Sequence, residues 1–308
     1  MQVSFIIPLY NCLGHTRECL RTLQATLPAG LAHQIILIDD SSTDGTREWL
    51  SGLGPPCRVI LNEKNLGFAG TCNRGASTAT GDLLFFLNND LVLLPGWFEP
   101  MRDAFVRFPD AGLIGNIQRN AATGAIDHAG IYFAHTGKPA HDTSRPLLAR
   151  LTGYRAVPAV TGACLAIRRE RWLELGGFDT AFVNGGEDVD LALRAGQWGW
   201  RNYVALRSVV RHHVSASTGR KLRDEQNSRL LATRWREVIP ALAGRDWCRE
   251  FIERHWELSC VYDDALAREA LYYWLGLLPE NSSGVMAGVR LAMRHEEQRW
   301  EQLLGPKP

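Results

Sequence analysis

The sequence predicts an α/β fold: a Rossmann-like, mostly parallel sheet flanked by helices, followed by a C-terminal helical appendage. Three observations predict it. Short apolar, partly β-branched runs alternate with helical spacings as far as Leu87. Acidic or amide residues stand where those runs stop, at Asp39-Asp40 and at Asn88-Asn89-Asp90. From about Thr218 onward strand patterns vanish and only helical spacing remains.

Each element follows from its residues. Val3 to Ile7 is a buried strand that Pro8 ends. His15 to Leu27 puts Cys19, Leu20, Leu23 and Leu27 on one helical face. Ile35 to Ile38 is the second strand, and a helix starts in Ser42-Thr-Asp-Gly-Thr-Arg-Glu-Trp-Leu50 with Ser or Thr as N-cap. Arg58 to Leu61 is a third strand, Phe68 to Ala79 a helix rich in small residues, and Asp82 to Leu87 a fourth strand. The alternation implies right-handed crossovers and a parallel sheet.

After Pro95-Gly-Trp97 the pattern loosens. Met101 to Phe108 reads as a helix, and Ala111 to Gln118 and Ala125 to Phe133 as strands. Residues 134–158, with three X-Pro pairs among polar residues, read as a mobile loop beside a site. Ala159 to Ile167 is a strand, Glu170 to Leu175 a helix, Asp188 to Ala195 a helix, and Tyr203 to His212 includes a strand. Helical spacing then covers 222–238, 246–276 and 284–304, so the expected division is 1–217 and 218–308.

Composition excludes several classes. Net charge is +1, with no basic stretch interleaved with aromatics, so nucleic acid is not an expected partner. Seven cysteines are scattered without a CxxC pair, which argues against structural zinc and for reduced thiols. The N-terminus lacks the basic start of a signal peptide, and no apolar run approaches the roughly 18 residues that cross a bilayer. The expectation is a cytoplasmic protein, at most peripheral at the inner face of the membrane.

Eight segments then occur in a telling order: Phe5-Ile-Ile-Pro-Leu-Tyr-Asn11, Ile38-Asp-Asp-Ser-Ser-Thr-Asp-Gly-Thr46, Asn65-Leu-Gly-Phe-Ala-Gly-Thr-Cys-Asn73, Leu87-Asn-Asn-Asp90, Val160-Thr-Gly-Ala-Cys-Leu165, Gly176-Gly-Phe-Asp179, Gly185-Gly-Glu-Asp-Val-Asp-Leu191 and Val210-Arg-His-His213. Together they resemble the inverting nucleotide-sugar glycosyltransferases of family 2, with the GT-A fold. Within that family the set looks most like the bacterial rhamnosyltransferase-like members. The tail from 218 has no counterpart in the resemblance.

The resemblance implies a site. Asp40 would contact the nucleoside, a role a carboxylate suits because it accepts from base N–H and ribose hydroxyls. Pro8, Tyr10 and Asn11 would form one wall of the donor pocket. Asn65, Gly67, Phe68 and Asn73 would form another, with Asn88, Asn89 and Gly162 near the diphosphate and sugar. Asp90, helped by His212, would hold a divalent cation, Mn²⁺ or Mg²⁺, that neutralises the departing diphosphate. The family's Asp-x-Asp motif is Asn88-Asn89-Asp90 here, so its first acid is missing. Asp188 would be the base that takes the acceptor's proton, with Glu187 beside it. Alternation places His212 and His213 on opposite faces, so one of them reaches the metal; the resemblance favours His212, which fits the family's Val-x-His pattern.

Competing roles exist for each residue. Asp39-Asp40 can cap the turn after a strand. Glu187, Asp188 and Asp190 can complement a helix N-terminus. The implied partners are a UDP- or dTDP-linked sugar donor and a carbohydrate or glycolipid acceptor. The helical tail is a candidate for peripheral membrane contact or oligomerisation, its Arg245, Arg249 and Arg254 diluted by Glu250, Glu253 and Glu257. Two rivals remain: a degenerate scaffold that binds nucleotide sugar or glycan, which Asn88 favours, and a sugar nucleotidyltransferase. The second lacks the expected Gly-rich basic loop after strand one.

Overall fold

A computed structural model describes residues 1–144, 151–213, 220–258 and 264–305. The strands are β1 (Val3–Leu9), β2 (His33–Asp39), β3 (Cys57–Leu61), β4 (Leu83–Leu87), β5 (Leu91–Leu93), β6 (Ala111–Asn120), β7 (Ile126–His128), β8 (Ile131–Phe133), β9 (Pro139–His141), β10 (Tyr154–Val157), β11 (Cys164–Arg168) and β12 (Arg201–His212). The helices are α1 (Leu13–Thr26), α2 (Thr46–Ser51), α3 (Gly67–Ala76), α4 (Phe98–Arg107), α5 (Arg169–Leu175), α6 (Glu187–Gln197), α7 (Arg220–Arg234), α8 (Ile239–Leu258), α9 (Asp264–Trp274) and α10 (Ser283–Leu304).

The main sheet runs β10-β12-β6-β11-β4-β1-β2-β3, with β5 on β12 and β7 on β6. β1, β2, β3 and β4 are mutually parallel, and β12 is parallel to β6. β11 runs antiparallel to both β4 and β6, so those two point the same way. The sheet is thus mostly parallel, with β10 and β11 reversed along its main order. One face carries a core in which Phe5, Phe85, Trp97 and Phe98 meet ring to ring. α3 lies very close to β1 and β2: a Cβ on Gly75 would come 2.5 Å from Ile38 Cδ1 and 2.9 Å from Ile6 Cγ2.

Several boundaries differ from the sequence reading, each for a physical reason. β1 continues through Pro8 to Leu9. Its pairing with β4 ends at Ile6, while its pairing with β2 continues to Leu9, so Pro8 lies where one neighbour has already left. α2 starts later than expected and has no Ser or Thr cap: Gly45 occupies that position at φ 86°. Ser42 Oγ instead accepts the Asn11 N–H at 2.8 Å. The expected strand 125–133 is two strands, β7 and β8, broken at Gly130 with φ 120°. The stretch 134–158 is not loop throughout, since it contributes β9 and β10; residues 145–150 lie outside the described residues. The loop expected over Ser215 to Gly219 also lies outside them.

The chain divides into two compact units. The first holds 1–131 and 141–220, the second 132–140 and 221–308. The unit with the tail helices therefore includes most of the β8–β9 hairpin. Within it, Lys138 Nζ meets Glu225 Oε2 at 2.7 Å and Glu296 Oε1 at 2.9 Å. Arg299 pairs with both acids, and Trp300 Nε1 donates to Glu225 at 2.7 Å. His135 N–H donates to Asp246 Oδ2 at 2.8 Å. α8 and α10 approach closely at Gly288, where a Cβ would collide with the Trp247 ring. Among the described residues no helix is long and apolar enough to cross a membrane.

Candidate active site

In sheets of this kind ligands gather beyond the carboxyl ends of the parallel strands. Asp39-Asp40 ends β2, Asn88 to Asp90 follow β4, and His212 ends β12. β11 is antiparallel and begins opposite Leu87, so its approach, Thr161-Gly162-Ala163, reaches the same edge. Asn88 N–H donates to Ala163 O at 2.8 Å and fixes that register.

Asp90 and His212 meet because of local pairing. Leu91 starts β5 directly after Asp90, and β5 pairs antiparallel with the end of β12, Leu91 opposite His212. This sets His212 Nε2 3.2 Å from Asp90 Oδ1. The alignment is not that of a hydrogen bond, and Asp90 Oδ1 is buried without a hydrogen-bond partner. A buried carboxylate oxygen without a donor is costly unless something else compensates it. A carboxylate oxygen and an imidazole nitrogen side by side suit a divalent cation, so the residues present fit a metal. Asn88 and Asn89 are half-buried. Asn89 Nδ2 is committed to Thr16 Oγ1 at 2.9 Å and to Asn11 O. Cys19 approaches Asn88 O at 3.4 Å. Burial, with the Asp90 charge adding to it, pushes the Cys19 thiol up to about 12, so it is no thiolate nucleophile.

The residues read as donor walls divide into those that face open space and those committed to the fold. Tyr10 is exposed. Asn11 and Cys12 both have left-handed backbones, and Asn11 Oδ1 accepts the Thr43 N–H at 2.8 Å, which ties the loop after β1 to the loop after β2. Asp40 is not open to a ligand in the way the sequence suggested. Its Oδ1 accepts from Asn62 Nδ2 at 2.8 Å and Leu66 N–H at 2.7 Å, and its Oδ2 from Gly67 N–H at 3.0 Å. The carboxylate holds the Asn62–Gly67 turn and the start of α3. Asp39 likewise accepts from the Ser41 and Ser42 N–H groups and pairs with Arg47 Nε at 2.6 Å. Asn65 returns its amide to Asp40 O at 3.3 Å. Asn73 is committed to the Phe178 main chain, accepting its N–H and donating to its carbonyl, and so leaves the donor wall.

The acid segment is built by unusual backbone. Asn184, Gly185 and Gly186 all have positive φ, at 55°, 154° and 90°, and α6 starts directly behind them. Glu187, expected beside the reacting atoms, turns back to accept the Gly185 N–H at 2.7 Å and stabilises that turn. Asp190 is fully buried and pairs with Arg194 four residues on, at 2.8 Å, so it is structural. Asp188 alone points across to the strand edge, where Oδ2 accepts the Gly162 N–H at 2.6 Å and Oδ1 its neighbour Val189 N–H. A Cβ on Gly162 would lie 3.2 Å from Phe68 Cε1 and 3.5 Å from Asp188 Cβ, so Phe68, Gly162 and Asp188 form one wall. Burial raises the Asp188 carboxyl above its ordinary value; the two N–H donors and the positive charge available at His141 oppose this.

Three residues escaped the sequence reading. Asn184 Oδ1 accepts the Phe68 N–H at 3.0 Å and links the start of α3 to the acid segment. An Asn before Gly-Gly was the signal, since Asn tolerates a left-handed backbone. Asn62 is buried and bridges Asp40, Thr71 and Arg74. His141 gave no signal, because it fell in a stretch read as loop. Its ring meets that of His128 edge-on at 4.8 Å, and burial holds His128 well below the ordinary imidazole range.

Comparison with known proteins identifies the family and the fold. Glycosyl transferase family 2 matches residues 4–171. The chain is 31% identical over 229 residues to the O-antigen biosynthesis protein RfbC of Myxococcus xanthus, covering 70% of this chain and 18% of that protein. It is 29% identical over 209 residues to an N-acetylglucosaminyl-diphospho-decaprenol L-rhamnosyltransferase of Mycobacterium tuberculosis, covering 60% of this chain and 68% of that one. The fold is shared with GalNAc-T7, solved with UDP, GalNAc and Mn²⁺, at TM-score 0.64 and 16% identity, covering 97% of this chain and 55% of that one. It is shared too with the mannosyltransferase PcManGT of Pyrobaculum calidifontis, at TM-score 0.53 and 18% identity, covering 96% and 86%.

Proposed function

The chain belongs to glycosyl transferase family 2, and from that premise we propose that it moves a sugar from a nucleoside-diphosphate donor to a hydroxyl acceptor with inversion. The observation that carries the reading is the pairing of Asp90 Oδ1 with His212 Nε2, 3.2 Å apart at the carboxyl edge of the sheet, with the oxygen left without a donor. Asp90 and His212 would hold a divalent cation, Mn²⁺ or Mg²⁺. When bound, such an ion supplies positive charge to the diphosphate as it leaves.

The remaining chemistry belongs to the chain. Asp188 takes the proton of the acceptor hydroxyl as the new bond forms. The Gly162 and Val189 N–H groups hold its carboxylate in one orientation. Its raised proton affinity makes it a stronger base than an exposed aspartate. Phe68 and Gly162 allow close approach of the donor sugar to that carboxylate. No enzyme nucleophile is required for a single displacement.

The donor in this proposal is a UDP- or dTDP-linked sugar, and the acceptor a carbohydrate or lipid-linked glycan. The support is the rhamnosyltransferase relative, named for an acceptor of the diphospho-decaprenol kind. Contact of residues 218–308 with a membrane surface would follow from such an acceptor. Liposome co-sedimentation of the full chain, with and without salt, tests that contact.

The test of function is nucleotide release from UDP-, dTDP- and GDP-sugars with Mn²⁺, Mg²⁺ or EDTA. Hydrolysis or transfer from one donor, abolished by EDTA and by Asp188→Asn, is expected. Donor binding with no turnover, with or without a panel of glycan acceptors, would instead support the scaffold reading that Asn88 favours.

A further inference from the structure

A second cluster of metal-ligating side chains lies close to the Asp90–His212 pair and is distinct from it. His15 and Glu18 are three residues apart on α1, so they share a face near the start of the helix. His213, the residue after β12, reaches the same place. The nearest Glu18 oxygen is 3.5 Å from His213 Nε2, and the His15 and His213 rings lie 4.5 Å apart at 31°. One ligand atom from each of the three lies within 4.8 Å of the others. Among the described residues this is the one such His/Cys/Asp/Glu triad.

We propose that His15, Glu18 and His213 form a binding site for a zinc-class divalent cation, separate from the cation held by Asp90 and His212. Two imidazoles and one carboxylate are the donor set of a borderline metal, not of Mg²⁺ or Ca²⁺. Ligand atoms around a tetrahedral zinc stand roughly 3.4 Å apart, given bonds of about 2.1 Å. The observed separations need only modest closure. Glu18 and His213 keep side-chain exposures of 42% and 34%, so they are free to rotate inward and the site is open to entry from solvent. The Glu18–His213 contact alone would leave the His15 ring, tilted against that of His213, without a role. A metal uses all three groups at once.

The position gives the site a consequence. Thr16, next to His15, holds Asn89 through its hydroxyl, and Cys19 touches Asn88 O. On the strand side, His213 N–H donates to Asp90 O at 3.0 Å. A cation here ties α1 to the end of β12 across the turn that carries Asp90. It acts as a brace for that turn and contributes nothing to the reacting atoms.

The experiment uses the full-length untagged chain, stripped of metal. Zn²⁺ is titrated against a chromophoric chelator, and Co²⁺ is added separately to read its visible d–d bands. Wild type is compared with His15→Gln, Glu18→Gln and Asp90→Asn, each first shown by circular dichroism to be folded. About one equivalent of Zn²⁺ is expected in wild type and in Asp90→Asn, with four-coordinate Co²⁺ bands in both. His15→Gln and Glu18→Gln should lose at least about ten-fold in affinity and lose those bands. Equal binding in His15→Gln and wild type would overturn the proposal. So would loss of the Zn²⁺ equivalent in Asp90→Asn, since the metal would then sit at the first pair. Binding in wild type only at millimolar Zn²⁺ would also overturn it.

Discussion

Replacing Asp40 by Asn tests what its carboxylate is for. Asp40 is 4% exposed, and its carboxylate accepts three hydrogen bonds, from Asn62 Nδ2, Leu66 N–H and Gly67 N–H. An asparagine retains one acceptor oxygen. Placed toward Asn62 and Leu66, it turns its NH₂ toward the Gly67 N–H, donor against donor. Gly67 N–H already has a second acceptor in Asn65 Oδ1 at 3.0 Å, so it is not orphaned. What is lost is one bond to a charged acceptor and the charge assistance on two others. A bond to a charged group contributes roughly 1.5–3 kcal/mol and a neutral one roughly 0.5–1.5. The expected cost is therefore about 2 kcal/mol, with about 4 kcal/mol for Asp40→Ala, which also strands the Leu66 N–H. For a unit of this size about 2 kcal/mol lowers the melting temperature by roughly 4–8 °C. Thermal unfolding and donor titration should be run on the same preparations. Both should move together, because the Asn62–Gly67 turn carries the proposed donor wall. A wild-type melting temperature with weakened donor binding would refute the reasoning and return Asp40 to direct contact with the nucleoside.

The other expectations are briefer. The Asp188 carboxyl is raised in the fold, so the protein keeps that group's full contribution to stability at pH below its unfolded value and loses it as pH rises through the folded one. Activity follows the opposite limb: kcat/KM should rise as Asp188 ionises, with its acid limb above 3.8, and Asp188→Glu should shift that limb while Asp188→Asn removes turnover and leaves folding intact. Gly81→Ala should destabilise by about 3 kcal/mol in urea unfolding, because its Cβ would lie 2.6 Å from the Ser4 backbone nitrogen in central strand β1; an unchanged midpoint would contradict that packing.

Much of the sheet was legible because apolar runs buried on both faces leave a strong local signature. β1, β2 and β4 are of this kind, as Phe85 and Ile36, both fully buried, illustrate. The juxtaposition within the candidate site was legible where a residue type and a strand end coincided, as at Asp90 and His212. Side-chain direction was not. Whether Asp40 or Glu187 faces a ligand or the main chain depends on where residues 62–67 and 184–186 return, and that is set by tertiary packing. Asp40 caps the turn before α3, and Glu187 folds back on Gly185, as strand-end and helix-start acids often do. Asp188 differs only because Gly162 arrives opposite it. The irregular stretch after β6 was read least well, since β7 to β10 are three or four residues each and carry no period long enough to recognise.

The grouping of residues 132–140 with the tail has a consequence for how the polypeptide is made. The hairpin emerges from the ribosome more than eighty residues before Glu225, Asp246 and Glu296, which later receive Lys138 and the His135 N–H. Until then Lys138 has no acid from this unit beside it, and the second unit cannot close. Its closure waits for the tail helices, however early its first strands appear. A gene cut at codon 217 would make that waiting state permanent.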